Sequence, residues 1–331
     1  MGSLFPGLPD EVGWECLLRV ELNSHHNLRG VCKRWNDVLK NPHFYQERKR
    51  LKISEQRICM VVQDTEGIRD RVAVYDLEKN SCKCLPRIPA QIKGMCHCYF
   101  LKQKLVLITD SIKGSERSCV WLYDFACSKW RQGAQMPRRL YSFASAADEH
   151  RGLIYVGGGY ERGHRHHRAT VYNVEEDNWD FLPYKKTSGS IGAFANGKFY
   201  VMGSSGIFKV FNSYMRSWTA LENRVNRSHH CFVSAFGRFY GLSVNGLFEY
   251  DFSPDKLNVV GTFSMKNMGW FIHFAVVFSN KLFVRKLDSK LNQGFYMLEP
   301  PSETGGTFKL IEVERPLDLQ GSAVCATTLD L

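Results

Sequence analysis

Three clusters in this sequence have the residue types and spacing for metal chemistry. Cys82-Lys83-Cys84 and Cys96-His97-Cys98 each set two sulfurs two residues apart, and in a strand such residues share a face. His164, His166 and His167 crowd one polar segment. Thiolates and imidazoles in such sets are zinc ligands. However, the histidines have no carboxylate or cysteine at ligand spacing, and both cysteine pairs fall in strand-like runs, where Cys packs as a small apolar side chain. The expectation is surface histidines, buried thiols, no metal and no cofactor. No nucleophile–base–orienter set, phosphate loop or paired carboxylates stands out either. The chain is therefore expected to be non-catalytic.

The elements that would position these residues form a repeat. In Ile154–Pro183 an apolar β-branched run ends in Gly157–Gly159, a basic loop follows, and a second run carries Tyr172-Asn173, with Trp179 seven residues after Tyr172. Tyr123-Asp124 leads to Trp130, Phe211-Asn212 to Trp218, Tyr75-Asp76 to Cys82 and Tyr250-Asp251 to Leu257, always at that offset. The anchors Tyr75, Tyr123, Tyr172, Phe211 and Tyr250 are 48, 49, 39 and 39 residues apart. A period of about 40 to 50 residues without helical patterning suits a blade of four short strands. Between anchors, Cys96–Leu101 with Leu105–Thr109, Phe143–Ala147 with Leu153–Val156, Ile191–Ala195 with Lys198–Met202 and Cys231–Ala235 with Arg238–Leu242 read as hairpins.

A strand ending in paired glycines, then Tyr-Asp, then Trp resembles the kelch repeat, best at Ile154–Pro183. The fold class expected is mostly β, a six-bladed kelch-type propeller over residues 58–331. Residues Trp270–Ile311 make a degenerate sixth blade. The first blade, Ile58–Gln63, Arg71–Asp76 and Ser81–Leu85, lacks an opening hairpin strand, while the C-terminal strand 321–329 has nothing after it. An open edge is costly, so this strand is expected to close blade one from the inside.

Residues 1–50 differ in kind. Pro9, Asp10 and Glu11 suit a helix start, and Val12, Cys16, Leu17 and Val20 give an apolar face. Leu28, Val31, Cys32, Trp35, Val38 and Leu39 recur at helical steps, with Gly30 dividing the run and Asn41-Pro42 ending it. So small an α unit cannot bury its own stripe. Leu8-Pro9, Cys16–Val20 and Val31-Cys32-Lys33-Arg34-Trp35 resemble the F-box, and this front followed by kelch repeats is typical of plant F-box/kelch-repeat proteins. The resemblance implies an all-α F-box domain docking on a Skp-type adaptor of a cullin–RING ubiquitin ligase through Leu8, Pro9, Leu17, Leu18, Val31, Cys32 and Trp35. Residues 51–57 are expected as a linker, with Glu47–Lys52 a solvated basic helix end.

The 331 residues, 44% of them apolar, are ample for one large domain and a small one. No apolar run is long enough to span a bilayer, no secretory signal stands out, and Pro6 occupies the place a myristoylation motif gives to Ser or Thr. Eleven scattered cysteines suit a reducing compartment, so the cytoplasm, the nucleus or both are expected. If the strands run from inner to outer, blade-to-blade and second-to-third-strand loops share one face, which is expected to hold much of the formal charge of +11. Arg138, Arg139, Arg165, His166, Arg224, Arg227 and Trp270 are expected there as the contacts for a target protein with an acidic surface. A basic pI without a groove-reading element argues against nucleic acid. The F-box/kelch resemblance implies a substrate receptor whose target could be a phenylpropanoid enzyme or a hormone-response regulator. The alternatives are a kelch scaffold without a ubiquitin-ligase role and an enzyme working in the propeller channel, the last without visible metal ligands.

Overall fold

The computed structural model describes residues 3–63, 70–89, 92, 95–110, 118–161, 163–165, 167–187, 189–203, 206–224, 229–243, 246–252, 257–264, 271–287, 292–300, 308–315 and 321–331. Four helices, α1 (Asp10–Leu18), α2 (His25–Arg29), α3 (Lys33–Lys40) and α4 (Pro42–Arg50), precede six four-stranded antiparallel sheets. Pro42 ends α3 and also opens α4: it takes the first helical position, and the Asn41 side chain accepts from the His43 N–H at 3.0 Å.

Blade 1 runs outward as Ser322–Asp330, Gln56–Gln63, Arg71–Asp76 and Ser81–Cys84, and blade 2 as Cys96–Leu101, Lys104–Thr109, Val120–Asp124 and Lys129–Gln132. Blade 3 is Ala144–Asp148, Leu153–Gly157, Thr170–Asn173 and Asn178–Phe181, and blade 4 is Ile191–Ala195, Lys198–Met202, Ile207–Asn212 and Ser217–Arg224. Blade 5 is His229–Ala235, Arg238–Ser243, Gly246–Phe252 and Leu257–Ser264, and blade 6 is Phe271–Phe278, Lys281–Leu287, Gln293–Glu299 and Lys309–Val313. The core is divided into wedges. Ile108, Ile154 and Tyr172 fill the gap between blades 2 and 3, Tyr155, Phe199 and Phe211 that between 3 and 4, and Met60, Phe274 and Phe283 that between 6 and 1.

The seven-residue spacing has a local cause. The Asp or Asn after the first four anchors accepts hydrogen bonds from the two N–H groups that open the following turn: Asp76 from Glu78 and Lys79, Asp124 from Ala126 and Cys127, Asn173 from Glu175 and Glu176, Asn212 from Tyr214 and Met215. A residue of positive φ then completes each turn, Asn80, Ser128, Asp177 or Arg216. The hairpin so fixed sets Tyr123 opposite Trp130, Tyr172 opposite Trp179 and Phe211 opposite Trp218, with ring centroids 5.1, 5.0 and 5.2 Å apart. Each indole N–H reaches back to the connection before its own blade: Trp130 to Pro86 O (2.7 Å), Trp179 to Ala134 O (2.9 Å) and Trp218 to Pro183 O (2.9 Å). In blade 5 the third and outer strands stay paired as far as Phe252 opposite Leu257, so Tyr250 faces Val259, and a bulge follows between Glu249 and Tyr250.

The C-terminal strand pairs with Gln56–Gln63 along its whole length, from Gln56 opposite Asp330 to Gln63 opposite Ser322. Glu55 and Leu331 exchange backbone hydrogen bonds at 2.8 and 3.2 Å, and the Thr328 hydroxyl donates to Val277 O of blade 6. Arg285, fully buried in blade 6, donates to Ser322 Oγ at 2.8 Å. Glu55, Gln56 and Arg57, the last residues of the stretch expected as a linker, thus lie against the closing strand and its end.

Candidate adaptor and target surfaces

The helical unit is seated on blades 1 and 2. Leu17, Leu18, Leu39, Phe44 and Tyr45 share one apolar cluster with Cys59, Val61, Leu105, Tyr123 and Leu329. Arg48 is 1% exposed; its guanidinium donates to Leu18 O and Val20 O and pairs with Glu55 at 3.1 Å. The expectation of a wholly solvated Glu47–Lys52 fails at Arg48, because α4 turns that side chain under the end of α1. Polar ties complete the seat: Arg29 to Ser128 (3.2 Å), Gln103 to Pro42 O (2.8 Å), Lys79 to Glu21 (2.6 Å) and Lys49 to Asp330 (2.8 Å).

This packing sorts the expected adaptor contacts. Leu17 and Leu18 are each 1% exposed and belong to the interior, since the apolar side of α1 faces the propeller. Trp35 is half-buried: its indole N–H donates to Leu4 O at 2.8 Å, and its ring lies 4.7 Å from Phe5, so it pins the N-terminal segment. Cys32 caps α3, its sulfur accepting from Trp35 N at 3.4 Å. Leu8 (42% exposed), Val12 (46%) and Val31 (60%) face solvent with Pro9, Cys16 and Cys32. Val12 was not among the expected contacts, although it shares a face of α1 with Cys16, four residues on.

His25 lies buried in the same unit, its Nε2 3.0 Å from Val20 O, and burial lowers its pKa to about 4. The unfolded chain, with an ordinary imidazole near 6.5, therefore takes up the proton first. Stability is unaffected above that value and falls as the pH drops toward 4, by about 2 kcal/mol near pH 5. Urea midpoints near pH 7.5 and about pH 5 should lie further apart for the wild type than for His25→Gln. Equal separations would remove His25 as the cause.

The opposite face carries the blade connections and the second-to-third-strand loops. On this face φ at Gly158 is +70°, and an added Cβ would lie 2.5 Å from the Gly189 backbone. Tyr141 and Tyr160 exchange backbone hydrogen bonds there (3.0 and 2.9 Å) and stack at 5.5 Å. Arg138 is 3.9 Å from Glu161, so this expected target contact has a carboxylate beside it, and Arg139 too is engaged. Arg165 is exposed beside Tyr160. Arg224 ends the outer strand of blade 4. His166, Arg227 and Trp270 lie outside the described residues.

The candidate metal ligands are placed apart. His164 is exposed, while His167 Nδ1 lies 2.9 Å from Thr187 O. Cys96 and Cys98 are buried; their thiols are pushed up, Cys96 foremost by its contact with Cys325 and Cys98 by burial, which keeps them protonated. Cys82-Lys83-Cys84 forms the outer edge of blade 1 rather than a strand core, and Cys84 is exposed. His97 and Asp110 approach at 3.9 Å, but burial drives His97 down to about 4 and Asp110 up to about 7, so the two do not form a full ion pair at neutral pH. Among the described residues no group of three His, Cys, Asp or Glu is arranged for a metal. An axial cavity of about 1020 Å³ runs between the innermost strands, with Tyr45, Gln46 and Lys49 of α4 at one end.

A helical unit with an exposed apolar strip, seated on a six-bladed ring, is the architecture of an F-box domain joined to a kelch propeller. Residues 5–47 match the F-box domain. The chain is 30% identical over 219 residues to the F-box/kelch-repeat protein At1g80440 of Arabidopsis thaliana and 28% over 222 residues to At1g15670, in each case 61% of this chain and 62% of the relative's length. It is 26% identical to At1g67480 over 348 residues, 98% of this chain and 89% of that relative. The chain belongs with the plant F-box/kelch-repeat proteins.

Proposed function

We propose that the chain is the substrate-recognition subunit of a Skp–cullin–F-box ubiquitin ligase, working in the cytoplasm, the nucleus or both. The observation that carries this reading is the apolar strip of Leu8, Val12 and Val31, left in water beside Pro9, Cys16 and Cys32 on a unit whose Leu17, Leu18, Leu39, Phe44 and Tyr45 are buried. An adaptor helix laid on that strip would cover it. The propeller, meanwhile, holds an acidic target on the opposite face, so that the target sits near a charged ubiquitin carrier at high effective concentration. The chain itself makes and breaks no bond. A kelch scaffold without a ligase role is the competing reading.

Purified full-length chain is expected to bind a purified Skp-type adaptor, and Leu8→Asp with Val31→Asp to weaken that binding at least about a hundredfold, as two charges in an apolar contact should. Circular dichroism of the variant should match the wild type because both sites are exposed. A wild-type chain that ignores the adaptor would leave the scaffold reading standing.

A further inference from the structure

We propose that the two loops between blades 3 and 4 on the face away from the helices form a docking site for an acidic segment of a partner protein. Within the receptor reading, this names the patch and the chemistry that grips the target. The patch has four cations, Arg165 and Arg168 from the blade 3 loop and Lys185 and Lys186 from the blade connection, all exposed. Among the described residues none of the four makes an ion pair, in contrast to Arg138 and Arg131, which have carboxylates at hand. Tyr184, 69% exposed, stands among them with the Arg168 guanidinium 5.9 Å from its ring centroid. The one acidic residue of the adjoining outer strand, Asp180, is exposed in register with Val171, and Glu161 of the blade 3 loop lies 3.9 Å from Arg138.

The cations are held on a built platform. His167 and Thr187 join the loops three times: His167 Nδ1 to Thr187 O (2.9 Å), Thr187 N to His167 O (3.3 Å) and Thr187 Oγ1 to His167 O (3.1 Å). Thr187 is fully buried and Leu182 N donates to Ala169 O at 3.0 Å, so both loop stems are fixed. A fixed set of unpaired cations around an exposed aromatic ring meets a peptide with little ordering cost. Its charge calls for several carboxylates, and the Tyr184 face for one apolar side chain between them.

The probe is a fluorescein-labelled peptide of alternating Asp and Glu with a central Leu, titrated by anisotropy with full-length chain at low salt. We expect saturable binding that weakens as salt is raised. Arg168→Glu with Lys185→Glu should weaken it by roughly tenfold or more, Tyr184→Ala severalfold, and Lys129→Glu, on an exposed outer strand of blade 2, hardly at all. All are surface changes, so an unchanged melting transition certifies the fold. Equal binding by the charge-reversed and wild-type chains, no binding by the wild type, or tighter binding of a single-stranded oligonucleotide of equal charge would each overturn the site. A chain that binds the adaptor and not the peptide loses this site alone; one that binds the peptide and not the adaptor loses the ligase reading alone.

Discussion

A chain cut before Ser322 is expected to lose its cooperative unfolding transition altogether. The closing strand supplies Ala323, Leu329 and Leu331, all essentially unexposed, and the whole inner edge of Gln56–Gln63 pairs with it. At about 1.5–3 kcal/mol for each large apolar side chain withdrawn from water, and with further losses at both blade interfaces, the deficit matches the 5–15 kcal/mol that usually keeps a domain folded. The bared edge also invites aggregation. Thermal melts by circular dichroism with size-exclusion chromatography would check this. A truncated monomer melting within a few degrees of the full chain would show that the ring closes by other means. Leu329→Ala, a milder change, should cost about 2–5 kcal/mol.

Arg48→Ala should destabilise the protein by about 3 kcal/mol, because breaking a buried pair strands its partners. Leu18 O would lose its guanidinium donor, Val20 O would keep only the His25 ring at 3.0 Å, and Glu55 would lose one of its cations. Glu55 would keep Arg57 at 2.5 Å and Leu22 N at 2.6 Å, which places the loss at the lower end of the range for buried pairs. Arg48→Lys should recover little, since one ammonium cannot reach both carbonyls and a carboxylate in a fork. Urea denaturation gives the number; a loss under about 1 kcal/mol would mean that water takes over the vacated place.

The repeat was legible because its cause is local. An Asp or Asn that closes its own turn sets the Tyr–Trp distance in sequence, and the eye finds the same distance in every copy. Blade 5 escaped that logic: its strands stay paired as far as Phe252 opposite Leu257, so Tyr250 meets Val259 and not the seventh residue after it, and no residue type there announces the longer pairing. The helical stripe was visible too, yet periodicity says that Leu17 is apolar-facing, not whether a partner or the propeller covers it. That depends on where α4 lands, and α4 itself was hidden because a proline that stops one helix can start another. The charged face was legible as a sum over loops. Which cations are spoken for was not, since Arg138 meets Glu161 across a fold that spacing cannot measure.

The seat of the helices on the hairpin-turn end of blades 1 and 2 sets the proposed adaptor surface, a handle, and the proposed target surface, a grip, apart by the height of a sheet. Strands of about five residues at roughly 3.3 Å each put some 17 Å between the grip and the handle. The grip can therefore be rewritten, loop by loop, without disturbing how the handle is held. Grafting foreign loops between blades 3 and 4 would accordingly yield a chain with a new cargo and an unaltered attachment.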